Sequence, residues 1–225
     1  MEKNLVKLIS YSRGEDGKNL LEQIAYVARV SNPSNQDNDS TAEKLVRYLV
    51  KNNHWSPLEM VSICLEIETT RDIARQILRH RSFSFQEFSQ RYADPTKDLA
   101  FVVREARLQD PKNRQNSVEL DKTLGSSILA DEWKEKQLEI ISRVKENYEW
   151  AISKGLAKEQ ARAVLPEGLT MSRMYMNGTL RSWVHYIQLR SANGTQKEHQ
   201  DIALACADAI EPIFPMIKEF INEQP

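Results

Sequence analysis

The chain has 225 residues, of which 40% are hydrophobic and 28% charged, and this balance predicts a folded protein with a buried core rather than a disordered one. Its formal net charge of -1 at pH 7 excludes the general basic field that holds a nucleic-acid backbone or an anionic membrane, so any anion site must be local. We therefore expect a single domain over residues 1–225, with no nucleic-acid or membrane partner.

The cysteines and the first residues of the chain indicate a cytoplasmic protein. Cys64 and Cys206 lie far apart and form no Cys-x-x-Cys pair, so we expect neither a disulfide framework nor a metal site. The first residues lack the apolar core of a signal peptide, and no run reaches the ~20 apolar residues of a membrane span. A reducing, cytoplasmic location follows as an expectation.

The first part of the chain predicts a strand and two helices. Residues 5–9 alternate as in a short strand, and residues 20–30 carry apolar side chains at helical spacing. After a polar loop, Ser40 and Glu43 form a capping-box pattern. This pattern predicts a second helix over residues 40–53.

The clearest strand is predicted over residues 61–67, where apolar and polar side chains alternate strictly. Thr70 can cap a following helix over 71–79, whose arginines recur every fourth residue along one side. A second strand is predicted over 99–103. The polar stretch 105–116 is typical of an exposed loop.

The following segment predicts a long helix, a short helix and a strand. Residues 133–152 have helical spacing, and Gly155 occupies the position that a helix C-terminus prefers. A shorter helix leads to Pro166, and residues 169–177 alternate loosely, as in a strand.

Two helices close the chain, over 180–189 and over 195–221, the second interrupted at Pro212 and Pro215. Because strands and helices do not alternate regularly, the fold class is predicted as α+β, with a mixed, mainly antiparallel sheet packed with helices. The chain has no glycine-rich phosphate loop of either common kind.

One cluster of charged and polar residues indicates a functional site. Arg79, His80, Arg81 and Arg91 fall within 13 positions, interleaved with serine, glutamine and glutamate. Guanidinium groups bind phosphate bidentately, while the interleaved side chains supply directional donors and acceptors, so the set suits a nucleotide. From composition alone, an equally good interpretation is a solvated basic turn in which Glu87 pairs with an arginine.

The order of these residues resembles the Arg-His-Arg, seven residues, Ser signature of the flavin-dependent thymidylate synthases. Here it runs from Arg79-His80-Arg81 to Ser89. The matching neighbours are Glu87, Arg91 and Tyr92, while Gln86 stands where many members have asparagine.

Four further segments resemble the same family in the same order along the chain. They are Ala28-Arg29-Val30-Ser31, His54-x-Ser56-x-x-Glu59, Ala161-Arg162-Ala163-Val164-Leu165-Pro166, and Leu180-Arg181-Ser182-Trp183 with Leu189-Arg190. Beyond Arg190, Gln196 and Glu198 align with the family, whereas Gly194 occupies a common histidine position. Taken singly, Arg162 would be a surface residue and His185 a core or interface histidine, and Trp183, Tyr186 and Ile187 are predicted to pack in the core.

The resemblance implies a homotetramer whose sites are shared between subunits, and it carries over the following residues. For dUMP it implies Gln76 and Arg79 from one subunit, Glu87, Ser89, Arg91 and Arg162 from a neighbour, and Arg190 completing the site. For FAD it implies Ser31, Ser56, Glu59, Arg79, His80, Arg81, Gln86, Glu87, Thr179, Arg181 and His185. Catalytic roles fall to Arg190, Ser89 and His54.

The activity implied is reductive methylation of dUMP to dTMP. Methylating uracil at C5 commonly relies on a cysteine that adds to C6, but Cys64 lies in a predicted strand and Cys206 in an alanine-rich helix. We hypothesise that Arg190 stabilises negative charge on the pyrimidine instead. NADPH-reduced FAD would supply hydride and methylenetetrahydrofolate the carbon. Ser89 could attack or orient, and we favour orientation because no base accompanies it in sequence.

Three other functions remain open on the residues alone. A module that binds RNA or a phosphorylated ligand predicts a colourless protein with salt-sensitive binding. A flavin reductase of another kind predicts flavin reduction that is indifferent to dUMP. A helical scaffold whose basic face is an oligomer contact predicts neither colour nor nucleotide affinity.

Overall fold

The computed structural model describes residues 5–221. In chain order the main elements are β1 (Val6–Tyr11), α1 (Leu20–Ala28), α2 (Ala42–Lys51), β2 (Ser62–Thr70), α3 (Arg71–Ile77), β3 (Phe83–Glu87), α4 (Pro95–Asp98), β4 (Arg107–Gln109), β5 (Ser117–Glu119), α5 (Leu124–Ser153), α6 (Lys158–Ala161), β6 (Met171–Thr179), α7 (Leu180–Arg190), α8 (Lys197–Ile210) and α9 (Ile217–Ile221). The predicted domain span of 1–225 extends beyond the described residues at both ends and stays a prediction.

Four strands form an antiparallel sheet in the order β1-β2-β6-β3. Ile63, Leu65 and Ile67 of β2 are fully buried against the helices, while the side chains between them are partly exposed on the other face. Because successive side chains of a strand point to opposite faces, this alternation separates an apolar core from a polar outer face. The predicted α+β fold with an antiparallel sheet is confirmed.

The core lies between this sheet and a layer of helices in which α7 is central. Trp183 and Ile187 of α7 are fully buried, and Tyr186 is 1% exposed, so the predicted core positions are confirmed. The indole nitrogen of Trp183 donates a hydrogen bond to the carbonyl oxygen of Ile63, over 3.0 Å. This bond satisfies the polar group that burying a tryptophan would otherwise leave without a partner.

Helix termini follow local sequence chemistry at several positions. Asn19 caps α1 through a capping box with Glu22, and Gly155 follows α5 with φ of 78°, a conformation that glycine adopts at no steric cost. The last predicted helix is divided as expected, because α8 ends at Ile210, before the two prolines.

Two local predictions about the first half are wrong. Ser40 does not cap α2: its hydroxyl donates to Asn38 (2.6 Å), and Glu43 accepts a hydrogen bond from Arg47 (2.6 Å). Thr41 occupies the cap position without a side-chain bond. Thr70 likewise precedes α3, but its hydroxyl donates to the Asp72 carboxylate over 2.6 Å rather than capping the backbone.

The prediction of a strand over residues 99–103 is also wrong. Phe101 forms only an isolated bridge with Thr170. Next to it, the Gln137 side chain accepts from the Arg104 backbone N–H (2.8 Å) and donates to its carbonyl oxygen (2.9 Å). Pairing of this segment is thus limited to two backbone bonds with residues 169 and 171, and the backbone of Arg104 beyond it is bonded by a side chain of α5.

The segment predicted as an exposed loop over 105–116 contains β4, which pairs with β5 to form a short hairpin. α5 begins at Leu124, nine residues before the predicted start, with Thr123 accepting a bond from the Ser126 N–H at 3.3 Å. The sequence interpretation also missed β3, which lies inside the arginine-rich motif. Within residues 5–221, no helix combines the length and apolar character needed to cross a membrane.

Candidate active site

The edge strand β3 divides the arginine-rich motif into two parts. Arg79, His80 and Arg81 precede the strand, whereas Ser89 and Arg91 follow it. At ~3.3 Å per residue, the four steps from the first to the last residue of β3 span roughly 13 Å. The two parts of the motif therefore lie at opposite ends of one strand.

The first group joins the beginning of the motif to the end of α7. The Arg190 guanidinium Nε donates to Nε2 of His80 over 2.9 Å, and the His80 ring meets that of Tyr186 edge-on at 4.9 Å. Burial, followed by the positive charges of Arg190 and Arg79, lowers the pKa of His80 to about 4. His80 is therefore neutral at pH 7 and can accept the proton of Arg190.

Gln76 of α3 belongs to the same group through α8. Its Nε2 donates to Oε1 of Gln196 over 2.8 Å, and its Oε1 lies 3.2 Å from Nδ1 of His199. Nε2 of His199 is in turn 3.2 Å from the Tyr186 hydroxyl. His199 is fully buried. It was not among the residues predicted from the sequence, because it belongs to no motif.

The second group lies at the other end of β3. The Glu87 carboxylate accepts a bond from the Ser172 hydroxyl over 2.8 Å and lies 3.4 Å from the Arg71 guanidinium. Arg71 is only 8% exposed. It therefore does not belong to an exposed row of arginines on α3, but points inward to make this pair. Glu87 therefore pairs with an arginine, but that arginine is buried and lies outside the motif, and Glu87 lies in a strand rather than in the solvated turn of the alternative interpretation.

Arg91 and Arg162 also belong to the second group. The Arg91 Nε lies 3.3 Å from the Glu159 carboxylate, and Arg162 directly follows α6, one turn after Glu159, which brings it to the same end of β3. The Ser89 hydroxyl accepts a bond from the Arg91 N–H at 3.4 Å. Within one chain, Arg79 and Arg190 therefore lie in one group, and Arg91 and Arg162 in the other.

A third group surrounds the N-terminus of α7. The rings of Trp55 and His185 lie 4.4 Å apart, and Arg181 forms an ion pair with Glu59. His185 is exposed, so the interpretation as a core histidine is wrong. The Thr179 hydroxyl is used as the helix cap, accepting from the Ser182 N–H at 3.3 Å.

The remaining sequence-predicted residues are placed as follows. Ser31 is exposed in the loop after α1, Ser56 begins the short turn before β2, and Gln86 is exposed on β3. His54 is exposed, with its ring 6.1 Å from that of Tyr48. No contact in the described chain joins Ser31 to the three groups.

Several guanidinium groups are available to an anion. Among residues 5–221, the side chains of Arg79, Arg81 and Arg162 have no carboxylate partner. Guanidinium groups without a carboxylate are suited to phosphate, which they bind bidentately. In the part of the chain that the structure describes, no group of three or more histidine, cysteine or acidic side chains could hold a metal.

Neither thiol lies in these groups. Cys64 is on β2 between the core residues Ile63 and Leu65, so it points to the face of the sheet opposite α7. Cys206 of α8 is fully buried. Burial raises the pKa of both thiols, which disfavours the thiolate that a nucleophile needs.

Comparison with known proteins identifies the family of the chain. A family described as "Thymidylate synthase complementing protein" matches residues 7–216. A probable flavin-dependent thymidylate synthase of Paramecium bursaria Chlorella virus 1 is 45% identical over 221 residues, which cover 96% of this chain and 98% of the viral protein. The flavin-dependent thymidylate synthase of Synechocystis sp. is also 45% identical, covering 94% of this chain and 96% of its own length.

The fold has a solved counterpart. The structure of a UMP/dUMP methylase from Streptomyces cacaoi, bound with 5-Br dUMP, matches with a TM-score of 0.76 at 24% identity, covering 96% of this chain and 93% of that one. The chain belongs to the family of the flavin-dependent thymidylate synthases.

Proposed function

We propose that this protein reductively methylates dUMP to dTMP in the de novo synthesis of that nucleotide. Methylenetetrahydrofolate would be the carbon donor, and FAD reduced by NADPH the hydride donor. The observation that carries the proposal is the Arg190 guanidinium, held by the neutral imidazole of His80 beside Gln76 and Arg79. The names of the two 45% identical relatives support the same reaction.

The donor set fits a flavin. The Trp55 and His185 rings offer flat surfaces to an isoalloxazine, while Arg79 and Arg81 present guanidinium groups to a pyrophosphate. The proposed FAD contacts are Ser31, Ser56, Glu59, Arg79, His80, Arg81, Gln86, Glu87, Thr179, Arg181 and His185. Reduced flavin, when bound, supplies a hydride, which no amino-acid side chain can supply.

The proposed dUMP site combines the first and second groups. Its residues are Gln76, Arg79, Glu87, Ser89, Arg91, Arg162 and Arg190. Arg190 stabilises the negative charge that develops on the pyrimidine ring as C5 becomes nucleophilic and later loses its proton. Ser89 orients the nucleotide, and His54 lies at the exposed edge of the third group, where the folate would approach.

A covalent thiol adduct is not part of the proposed mechanism. Cys206 is fully buried and Cys64 faces the opposite side of the sheet, so neither reaches C6 of a pyrimidine beside Arg190. Charge stabilisation by Arg190 replaces the activation that such an adduct gives. Each chain residue in this scheme binds, orients or stabilises charge.

We propose a homotetramer with sites shared between subunits. The two groups lie at opposite ends of β3, and in the proposed assembly the first group of one chain and the second group of a neighbour enclose one nucleotide. Leu129, Trp133 and Ile140 lie on one side of α5 and are 43%, 44% and 46% exposed, and an exposed apolar surface of this kind is typical of subunit interfaces. This side of α5 supports the assembly.

Replacing Arg190 tests the proposed activator. Arg190→Ala should abolish tritium release from C5 of dUMP, because the developing charge loses its partner, while the purified protein stays yellow. Arg143→Ala is the matched control, since Arg143 is 78% exposed on α5 and, within residues 5–221, forms its ion pair with Glu146. Full tritium release by Arg190→Ala would rule out this role.

The visible spectrum separates the proposed function from its alternatives. We expect a flavin absorption band that changes when dUMP is added. A colourless protein would favour the nucleic-acid-binding module or the scaffold. A flavin band that ignores dUMP would indicate a flavin reductase of another kind.

Mixing two inactive variants tests whether the site is shared. Arg190→Ala and Arg91→Ala each disable one group, but a hybrid assembly of the two chains contains some sites with both groups intact. Random mixing in equal amounts should restore about a quarter of the wild-type activity, because one of four chain pairings carries both arginines. If mixed assemblies stay inactive while each variant remains folded and yellow, both groups belong to one chain.

A further inference from the structure

A chain of hydrogen bonds connects the core to the surface hairpin. It runs from Tyr186 through His199, Gln76 and Gln196 to Glu198, and Glu198 forms an ion pair with Arg107 of β4. We propose that His199 is a positioning residue, which fixes the amide of Gln76 in the one orientation that the nucleotide site requires. This inference rests on the proposed function, because it concerns a residue of the proposed dUMP site.

Glu198 determines which atoms donate and which accept along this series of hydrogen bonds. Burial opposes ionisation of this carboxyl, but hydrogen bonds from Arg107, the backbone and Gln196 outweigh it, so the pKa of Glu198 lies below its ordinary value. An ionised carboxylate only accepts hydrogen bonds. Gln196 must therefore turn its Nε2 towards Glu198, at 2.9 Å, and its Oε1 towards Gln76.

The same reasoning fixes the next two residues. Because Gln196 presents an acceptor, Gln76 must donate from Nε2, which turns its Oε1 towards His199. Oε1 is an acceptor, so Nδ1 of His199 carries the proton. Nε2 of His199 is then an acceptor, and the Tyr186 hydroxyl donates to it.

Because His199 is buried, losing its hydrogen bond to Gln76 should be costly. The His199 side chain is fully buried and Gln76 is partly buried, and an amide oxygen shielded from water is costly to leave without its donor. Without the Nδ1 proton, Oε1 of Gln76 would lose its donor, and the single bond to Gln196 would leave the amide free to rotate about it. With that proton, Gln76 has one N–H and one oxygen lone pair left, and these face the nucleotide in a fixed arrangement.

Substitutions at position 199 separate donor chemistry from packing. His199→Leu fills the space but donates nothing, whereas His199→Asn keeps an N–H donor near the position of Nδ1. Ile210→Ala is the control for a weakened helix, since Ile210 is fully buried on α8 about 16 Å further along it. Binding of dUMP is followed by titrating the flavin absorption band, with thermal melting of each variant recorded alongside.

The expected result is selective. His199→Leu should raise the Kd for dUMP about tenfold or more, because the amide of Gln76 loses its orientation. His199→Asn should restore dUMP binding to within about threefold of the wild type, and Ile210→Ala should lower Tm without changing the Kd. Flavin content should be equal in all variants.

Two outcomes would overturn the inference while leaving the proposed function intact. One is a wild-type Kd for dUMP in His199→Leu, and the other is a His199→Asn variant that binds as weakly as His199→Leu. If His199→Leu does not fold, Glu198→Gln makes the same test, because an amide at position 198 no longer forces Gln196 to donate. Failure of the wild-type protein itself to bind dUMP would instead overturn the proposed function.

Discussion

Gly178 of β6 is the position where a single added carbon should disturb both the fold and the motif. Its Cα lies opposite Phe83, the first residue of β3. A Cβ atom there would lie 2.6 Å from Cε1 of the Phe83 ring and closer still to Cδ1. Because carbon atoms pack at about 3.5–4.0 Å, the ring would have to move by about 1 Å.

That movement has a cost that the surrounding rings define. Phe83 meets Trp183 edge-on at 4.9 Å and Tyr186 at 5.9 Å, so the displaced ring has little free space. Overpacking of this kind costs about 1–3 kcal/mol. Since ~1 kcal/mol shifts Tm by roughly 2–4 °C for a chain of this size, Gly178→Ala should lower Tm by roughly 2–12 °C.

The assay is a double-mutant cycle read by thermal melting. Phe83→Leu removes the ring atoms that Gly178→Ala would strike, so the double variant should lose less stability than the sum of the single ones, by at least about 0.5 kcal/mol. Gly168→Ala is the control, because a Cβ at Gly168 meets no atom within 4 Å. An unchanged Tm for Gly178→Ala, or strict additivity in the cycle, would refute the packing argument.

Two further predictions concern the thiols and the histidines. Cys64→Ala combined with Cys206→Ala should retain turnover of dUMP, because neither thiol reaches the proposed site; a folded but inactive double variant would restore a thiol mechanism. Burial lowers the pKa values of His80 to about 4 and of His199 to about 3. Between pH 6.5 and about 4 the unfolded chain therefore binds protons that the folded one does not, so stability falls as pH falls, by at most ~1.4 kcal/mol per pH unit for each histidine. Melting curves from pH 7 to 5 check this: Tm should decrease over that range, and His199→Leu should flatten the decrease, whereas a constant Tm would contradict it.

The elements that were predicted correctly are those with all their apolar side chains on one side. β2 alternates strictly between apolar and polar residues, and its core positions are fully buried, because a period of two matches a sheet packed on one side. α7 was predicted to within one residue of its end, since three large side chains on one side of it must enter the core. In both elements, local spacing and tertiary packing agree.

Elements stabilised by distant partners were not predictable. The strand expected over 99–103 is reduced to one bridge, between Phe101 and Thr170, and just beyond it the backbone of Arg104 is bonded by the side chain of Gln137, 33 residues away. Phe83 and Phe85 alternate with polar residues, as in a strand. This strand was missed because the segment was interpreted by its arginine motif and not by its alternation. The partner β6 lies about 90 residues further along the chain, and nothing local reveals it.

For the site, the sequence named the side chains but could not pair them. Arg190, His80 and Gln76 all came from the family resemblance, yet only the structure shows that Arg190 binds His80 and that Gln76 binds His199. Residues without a motif, such as His199 and Arg107, acquire a role only through contacts made across 91 to 123 positions. Spacing carries no information on pairs of this kind.

The proposed role of Arg190 accounts for a histidine, rather than a carboxylate, as its partner. A carboxylate in that position would hold the guanidinium firmly but cancel its charge, and a unit charge about 4 Å from a developing anion is worth about 4 kcal/mol at an effective dielectric constant near 20. A protonated imidazole would repel Arg190. Burial keeps His80 neutral, so it fixes the orientation of the guanidinium through one hydrogen bond and leaves the full positive charge available for the proposed contact with the pyrimidine.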